Sequence, residues 1–216
     1  MSKTSGFRHD SIPAGLTALG SLAEQQGWLL TQTEDSSLFS PDTLGATDAV
    51  IFLSTTGDIF NETEQEAFQQ FVESGGGVVG IHSATDTEHD WPYFQDLLGA
   101  GFVDHPEVQQ ATILIEDPSH PATKELPNPW QHTDEWYNFD RDPRPGAHVL
   151  LTVDESTYQG GTMNADHPLA WTREEPSGSR VFYTAIGHLS EAYSDPTFVA
   201  HLSGGIRWVL GSTATP

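Results

Sequence analysis

The stretch Gly77-Val78-Val79-Gly80-Ile81 has no polar residue at either parity, so a strand built from it must be covered on both faces. Two-sided cover comes from helices packed above and below a sheet, which places the chain among α/β proteins with parallel pairing. Similar short apolar runs occur at 49–53 and 181–184. Helical patterns lie between them. Ile12, Leu16, Leu19, Leu22 and Ala23 share one helical face ahead of Gly27, and Asn61 with Glu64 forms a capping pair before Ala67, Phe68, Phe71 and Val72. Residues 28–31 are a short strand candidate. Further strands are expected at 111–115, 148–153 and 169–171, some antiparallel at an edge, with a helix over 93–98 and a last helix opened by Pro196. In such an arrangement the ligand crevice lies at the carboxyl ends of the parallel strands. The turn that follows Ile81 carries His82 to that edge.

The length suits a single domain over residues 1–211 with a short tail, 212–216. Acidic residues number 31 against 8 basic ones, a net charge of −23 that repels phosphate backbones and anionic lipid. Nucleic acid and membrane are therefore excluded as partners. The excess runs along the whole chain rather than in a tail, which points to adaptation to high salt; unfolding on dialysis to low salt is the check. No apolar run is long enough to span a bilayer, the start Met1-Ser2-Lys3-Thr4 has no apolar signal core, and a cytoplasmic location is expected. The absence of cysteine rules out thiol nucleophiles and disulfides and leaves any metal to His, Asp or Glu.

Six strings occur in order: Gly6-Phe7-Arg8-His9, Gly80-Ile81-His82-Ser83-Ala84, Phe102-Val103-Asp104-His105-Pro106, Asp134-Glu135-Trp136-Tyr137, Pro168-Leu169-Ala170-Trp171-Thr172, and Gly178 to Tyr183 with Gly187-His188. Together they resemble the ThuA-like family, named for trehalose utilisation. The resemblance implies a three-layer, flavodoxin-like fold of the class I glutamine amidotransferase type with a mostly parallel central sheet. Amidotransferase chemistry is not implied, because His82 stands where those enzymes hold a nucleophilic cysteine. It also implies a link to disaccharide or keto-sugar metabolism. Members of the family begin with an apolar strand before the Gly-Phe-Arg-His loop, whereas here only Met1 to Thr4 precede Ser5. The first strand is therefore expected to be truncated, leaving its two neighbours with unpaired backbone groups.

Loops after neighbouring parallel strands converge, so the candidates gather at one edge. His82, Glu135 and His188 are the expected catalytic groups, and Arg8, His9, His105, Asp134, Tyr137 and Trp171 the expected substrate contacts. A divalent ion such as zinc, if one is held, falls to His9, His82 and His105. Asp134 and Glu135 are adjacent and on a strand face opposite sides, so Glu135 is taken as the group that addresses the site. A carboxylate with a histidine suffices for proton abstraction beside a carbonyl, as in an isomerase or lyase on a 3-keto-glycoside. Plain glycosidase action asks for two carboxylates flanking the bond. A metal-dependent hydrolase and a non-catalytic sugar-binding module remain open. Trp91, Tyr93, Trp136, Tyr137, Trp171 and Tyr193 suit stacking on a sugar, the expected small-molecule partner. His120, His148 and His201 read as structural, and a homo-oligomer is the default assembly.

Overall fold

In the computed structural model, which describes residues 1–211, the mixed α/β pattern resolves into one main sheet with helices on both faces. In chain order the elements are α1 Ile12–Gln26, α2 Pro41–Leu44, β1 Ala49–Leu53, α3 Glu62–Glu73, β2 Gly77–Ile81, α4 Pro92–Leu98, β3 Phe102–Asp104, β4 Gln109–Ile115, β5 Trp130–Asp134, β6 Asn138–Phe139, β7 His148–Asp154, β8 Pro168–Glu174, β9 Arg180–Thr184 and α5 Pro196–Val209. The tail 212–216 lies outside the described residues. The strand order is β1-β2-β9-β8-β7-β4-β5, and β3 pairs with β6 in a separate two-stranded ribbon. β1, β2 and β9 run parallel. From β9 outward through β8, β7, β4 and β5 every pairing is antiparallel, so this part of the sheet is wider than the edge expected from sequence.

Every residue of β2 is buried, as its unbroken apolar run requires. Alternation along β9 separates the two layers. Phe182 lies under Gly205 of α5, while Tyr183 lies beside Gly80 and Leu98 on the α4 face. α1 packs against β1 and the short turn Ser190–Ser194, and that turn in turn packs against α5. On the opposite face the Phe52 ring stands edge-on to Phe68 and Phe94, at 5.3 and 5.1 Å between centroids.

Two helical glycines set how closely α5 can approach. A Cβ at Gly204 would meet the Pro121 carbonyl, and one at Gly205 the Phe182 ring. Gly204→Ala is expected to destabilise the protein by about 2–3 kcal/mol, because its obstacle is backbone that has no rotamer to change. At Gly20 of α1 the nearest atom is Gln32 Nε2 at 3.6 Å, so Gly20→Ala is expected to be neutral or slightly stabilising. Urea denaturation of the two variants checks the contrast.

The lane expected for the first strand is partly occupied. The Met1 α-ammonium donates to Ile51 O at 2.8 Å, Leu53 N donates to Met1 O at 2.9 Å, and Thr4 bridges Thr56 in parallel. Ser2 N donates to Thr33 O at 3.1 Å on the other side, so residues 1–4 form the end of that lane nearest the site. Behind Met1 a cavity of about 620 Å³ runs between α1 and β1, lined by Leu19, Ala23, Trp28, Phe39, Val50 and Leu210. Residues 28–31 are extended but join no ladder.

Candidate active site

Ile81 ends β2 in extended conformation, and the next residue, His82, turns into the left-handed region at φ 54° before the short 3₁₀ turn His82–Asp86. A non-glycine residue in that region costs about 1–2 kcal/mol, so the surroundings must hold it there. They do so through the ring: His82 Nδ1–H donates to Ala185 O at 2.8 Å, which leaves the Nε2 lone pair facing the pocket. The Tyr137 hydroxyl lies 3.0 Å from that Nε2, and His9 Nε2 lies 3.1 Å from it.

His9 is delivered from the loop ahead of α1. Ser11, at the start of that helix, donates from its hydroxyl to Gly187 O at 2.9 Å and so ties the loop to the turn that carries His188. Asp134, at the end of β5, fastens the other side. Its buried carboxylate accepts from the backbone N–H groups of Glu135, Gly187 and His188 at 2.8, 2.9 and 3.0 Å. Glu135 then reaches into the pocket, with Oε2 3.1 Å from His188 Nδ1 and 3.5 Å from His82 Nε2, and Oε1 3.1 Å from His105 Nδ1.

The charges follow from these contacts. Burial, with the neighbouring imidazoles of His82 and His188, pushes the His9 pKa down to about 3 and keeps that ring neutral. Burial alone would raise the Glu135 carboxyl, but the imidazoles of His188 and His82 outweigh it and hold the group well below its ordinary range. His188 is raised by the adjacent Glu135 carboxylate, against the effect of burial, and is the imidazole best placed to carry a proton. A carboxylate held this firmly ionised and a histidine this reluctant to protonate are both weak general bases at neutral pH.

As ligands the same groups are well suited. One ligand atom each from His9, His82, Glu135 and His188 lies within 4.8 Å of all the others. Three of their six separations, 3.1, 3.1 and 3.5 Å, compare with about 3.3 Å along the edge of a tetrahedron of zinc–ligand bonds, and the others lie within 4.8 Å. His188 Nδ1 is buried and its contact with Glu135 Oε2, 3.1 Å away, is poorly aligned for a hydrogen bond. His82 donating its other ring nitrogen to a carbonyl is the outer contact that ligating histidines ordinarily make.

Against the residues expected from sequence, the structure brings His9, His82, Glu135, His188 and Tyr137 together. Of the expected metal set, His9 and His82 lie in this cluster with Glu135 and His188, while His105 stands at its edge, 39% exposed, with Nδ1 3.1 Å from Glu135 Oε1 and 3.0 Å from Pro106 O. Arg8 pairs with Glu34 at 2.6 Å in solvent. Trp171 is fully buried, its Nε1–H donating to Leu98 O at 2.8 Å, and belongs to the core. Asp134 faces backbone donors rather than the pocket, and Trp136 and Tyr193 are likewise core residues. Two residues that sequence reasoning missed stand beside the cluster: Ser83, 3.4 Å from His9 Nδ1, and Phe7, whose ring meets that of His9 edge-on at 4.9 Å. Each is one or two positions from a candidate histidine, which was the available signal.

Away from the pocket, burial pushes both His201 and His120 down to about 4. In the unfolded chain these rings take up protons near pH 6.5, so between that value and about 4 the unfolded state binds more protons and stability falls as pH falls. Replacing the fully buried ring in His201→Leu is expected to remove about 1.4 kcal/mol per pH unit from that dependence. Urea titrations at pH 7 and pH 5 measure the difference.

Comparison with known proteins agrees with this fold. The family described as ThuA, trehalose utilisation, matches residues 1–209. No curated protein matches the chain in sequence. A solved ThuA-like protein of Bacteroides uniformis is 26% identical over 96% of this chain and 89% of its own, with a TM-score of 0.79. One from Parabacteroides merdae is 23% identical, covering 99% and 90% respectively, with a TM-score of 0.78. The CTPS glutaminase domain of Trypanosoma brucei shares the fold alone, at 9% identity over 99% of this chain and 94% of that one, with a TM-score of 0.54. Among the described residues no helix is long and apolar enough to cross a membrane.

Proposed function

Since the chain belongs to the ThuA family, whose description is trehalose utilisation, we propose that it acts on a disaccharide or its 3-keto derivative at the His9, His82, Glu135 and His188 cluster, with a divalent cation such as zinc held there. The observation that carries this reading is the gathering of three imidazoles and one carboxylate whose ligand atoms all lie within 4.8 Å of one another. Such an ion, when bound, polarises a sugar oxygen as a Lewis acid. The chain's own groups do the rest. His82 is locked in the ligating tautomer by Ala185 O, Glu135 supplies the balancing negative charge, and the Tyr137 hydroxyl offers a hydrogen bond beside His82. His105, half-exposed with Nδ1 3.1 Å from Glu135 Oε1, is placed to pass a proton between solvent and the pocket.

A second reading, acid–base chemistry without a metal, is favoured by one observation: His188 Nδ1 lies 3.1 Å from Glu135 Oε2, where the carboxylate favours a protonated imidazole. The setting we propose is the cytoplasm of a salt-adapted cell, in keeping with a net charge of −23. Protein purified in high salt is assayed for bound metal by mass spectrometry and mixed with trehalose and 3-keto-trehalose under proton NMR, with and without chelator. New product resonances that vanish on chelation and return with zinc support the metal-centred reading. Turnover indifferent to chelation supports the acid–base one, and sugar line broadening with no turnover points to a binding module instead.

A further inference from the structure

We infer that Phe7 is the platform on which a pyranose ring of the substrate lays its apolar C–H face at the mouth of the His9 cluster. The inference rests on the proposed sugar-directed function. Phe7 is 66% exposed, although its ring stands edge-on against His9 at 4.9 Å and His9 itself is buried among the ligand atoms. Single exposed apolar side chains are common and by themselves mean little. This one is held in place. Ser5 N and Gly6 N both donate to Thr56 O, at 2.8 and 3.3 Å, and the buried Thr56 hydroxyl donates back to Phe7 O at 2.7 Å. Arg8, the next residue, is tied to Glu34 at 2.6 Å.

A pinned loop that presents an unpartnered aromatic face two residues from a buried ligand is preorganised for a flat apolar surface beside a polar reacting centre. Sugars offer that combination: an axial C–H face and hydroxyls on the edge. The other aromatic rings near the cluster do not compete for the role. Tyr137 is buried with its hydroxyl committed to His82, and Phe102 leans on Tyr137 at 4.3 Å between centroids. His105, 39% exposed with Nδ1 3.1 Å from Glu135 Oε1, adds a polar group at the solvent side of the same cluster.

The test measures affinity for trehalose and 3-keto-trehalose by calorimetry and saturation-transfer NMR in wild type, Phe7→Ala and Phe7→Trp, together with bound metal and mass in solution. Expected is about a tenfold loss of affinity in Phe7→Ala, with near wild-type affinity in Phe7→Trp and metal content unchanged in both. Wild-type affinity in Phe7→Ala overturns the inference. So does a loss of metal in Phe7→Ala, which makes the ring a support for His9, or a smaller oligomer with unchanged sugar affinity, which assigns the ring to a contact between copies. If wild type binds neither sugar, the functional reading fails first and the platform with it.

Discussion

If the His9, His82, Glu135 and His188 cluster holds a divalent ion as proposed, Glu135→Gln is expected to release it. The substitution keeps the shape of the side chain but removes the only anion among the four ligand groups, leaving three imidazoles to hold a dication without charge compensation. Changes to partners one step outside a metal's ligands commonly weaken binding 10–100-fold, so loss of a ligand itself should exceed about 100-fold. Any turnover of the proposed keto-sugar substrate that depends on the ion should fall by at least as much. The metal-free fold should lose some stability at neutral pH, because the neighbouring imidazoles outweigh burial in holding the Glu135 carboxylate ionised and the amide forfeits that interaction. Metal analysis and a thermal melt of metal-free protein separate the two effects: metal lost with a modestly lowered midpoint is the expected pair. Retention of metal at wild-type affinity would remove Glu135 from the ligand set. His105→Gln serves as the comparison and should keep the ion, since His105 touches only the outer carboxylate oxygen.

Asp134→Ala should give the largest loss of stability. Its carboxylate is fully buried and accepts three backbone N–H bonds, two of them from the turn that positions His188. Each buried donor left without a partner costs about 1–3 kcal/mol, and water entering the vacated space recovers part of it, so about 4 kcal/mol is expected overall. Asp134→Asn, which keeps one accepting oxygen and can turn it toward the Gly187–His188 turn, should lose roughly half as much. Urea denaturation of both variants decides the matter; a loss under about 1 kcal/mol in Asp134→Ala would mean that the turn is held by its other contacts, chiefly Ser11 to Gly187 O.

What was legible in the sequence follows from how much each signal depends on local pattern. β2 and the turn at His82 could be read directly, because an apolar run without alternation admits few structures. β5 could not. Trp130-Gln131-His132-Thr133-Asp134 buries only its first and last residues and alternates polar outward, so nothing in the run distinguishes an edge strand from a loop. Parity was enough to choose Glu135 over Asp134, since neighbouring side chains cannot face one pocket from opposite sides of a strand end. It was not enough to rank His188 above His105, because what separates them is a carboxylate more than fifty residues away in the chain holding the Gly187 turn in place. The aromatics show the same limit. Trp171 and Phe7 are equally plausible on a sugar when read as letters, and only the third dimension puts one inside the core and the other in solvent.

The ligand groups at positions 9, 82, 135 and 188 come from four separate parts of the chain, and no two lie on the same helix or strand. No fragment can therefore assemble the set, and an unfolded chain offers an ion only scattered, weak partners. Any ion bound at the centre is by mass action a clamp on the entire domain, adding about 2.7 kcal/mol to its unfolding free energy at a free-ion concentration a hundred times the dissociation constant. On the proposed metal-bound reading, the melting temperature of the protein would then be a gauge of the available metal, and a chain deprived of that metal would stand nearer to unfolding.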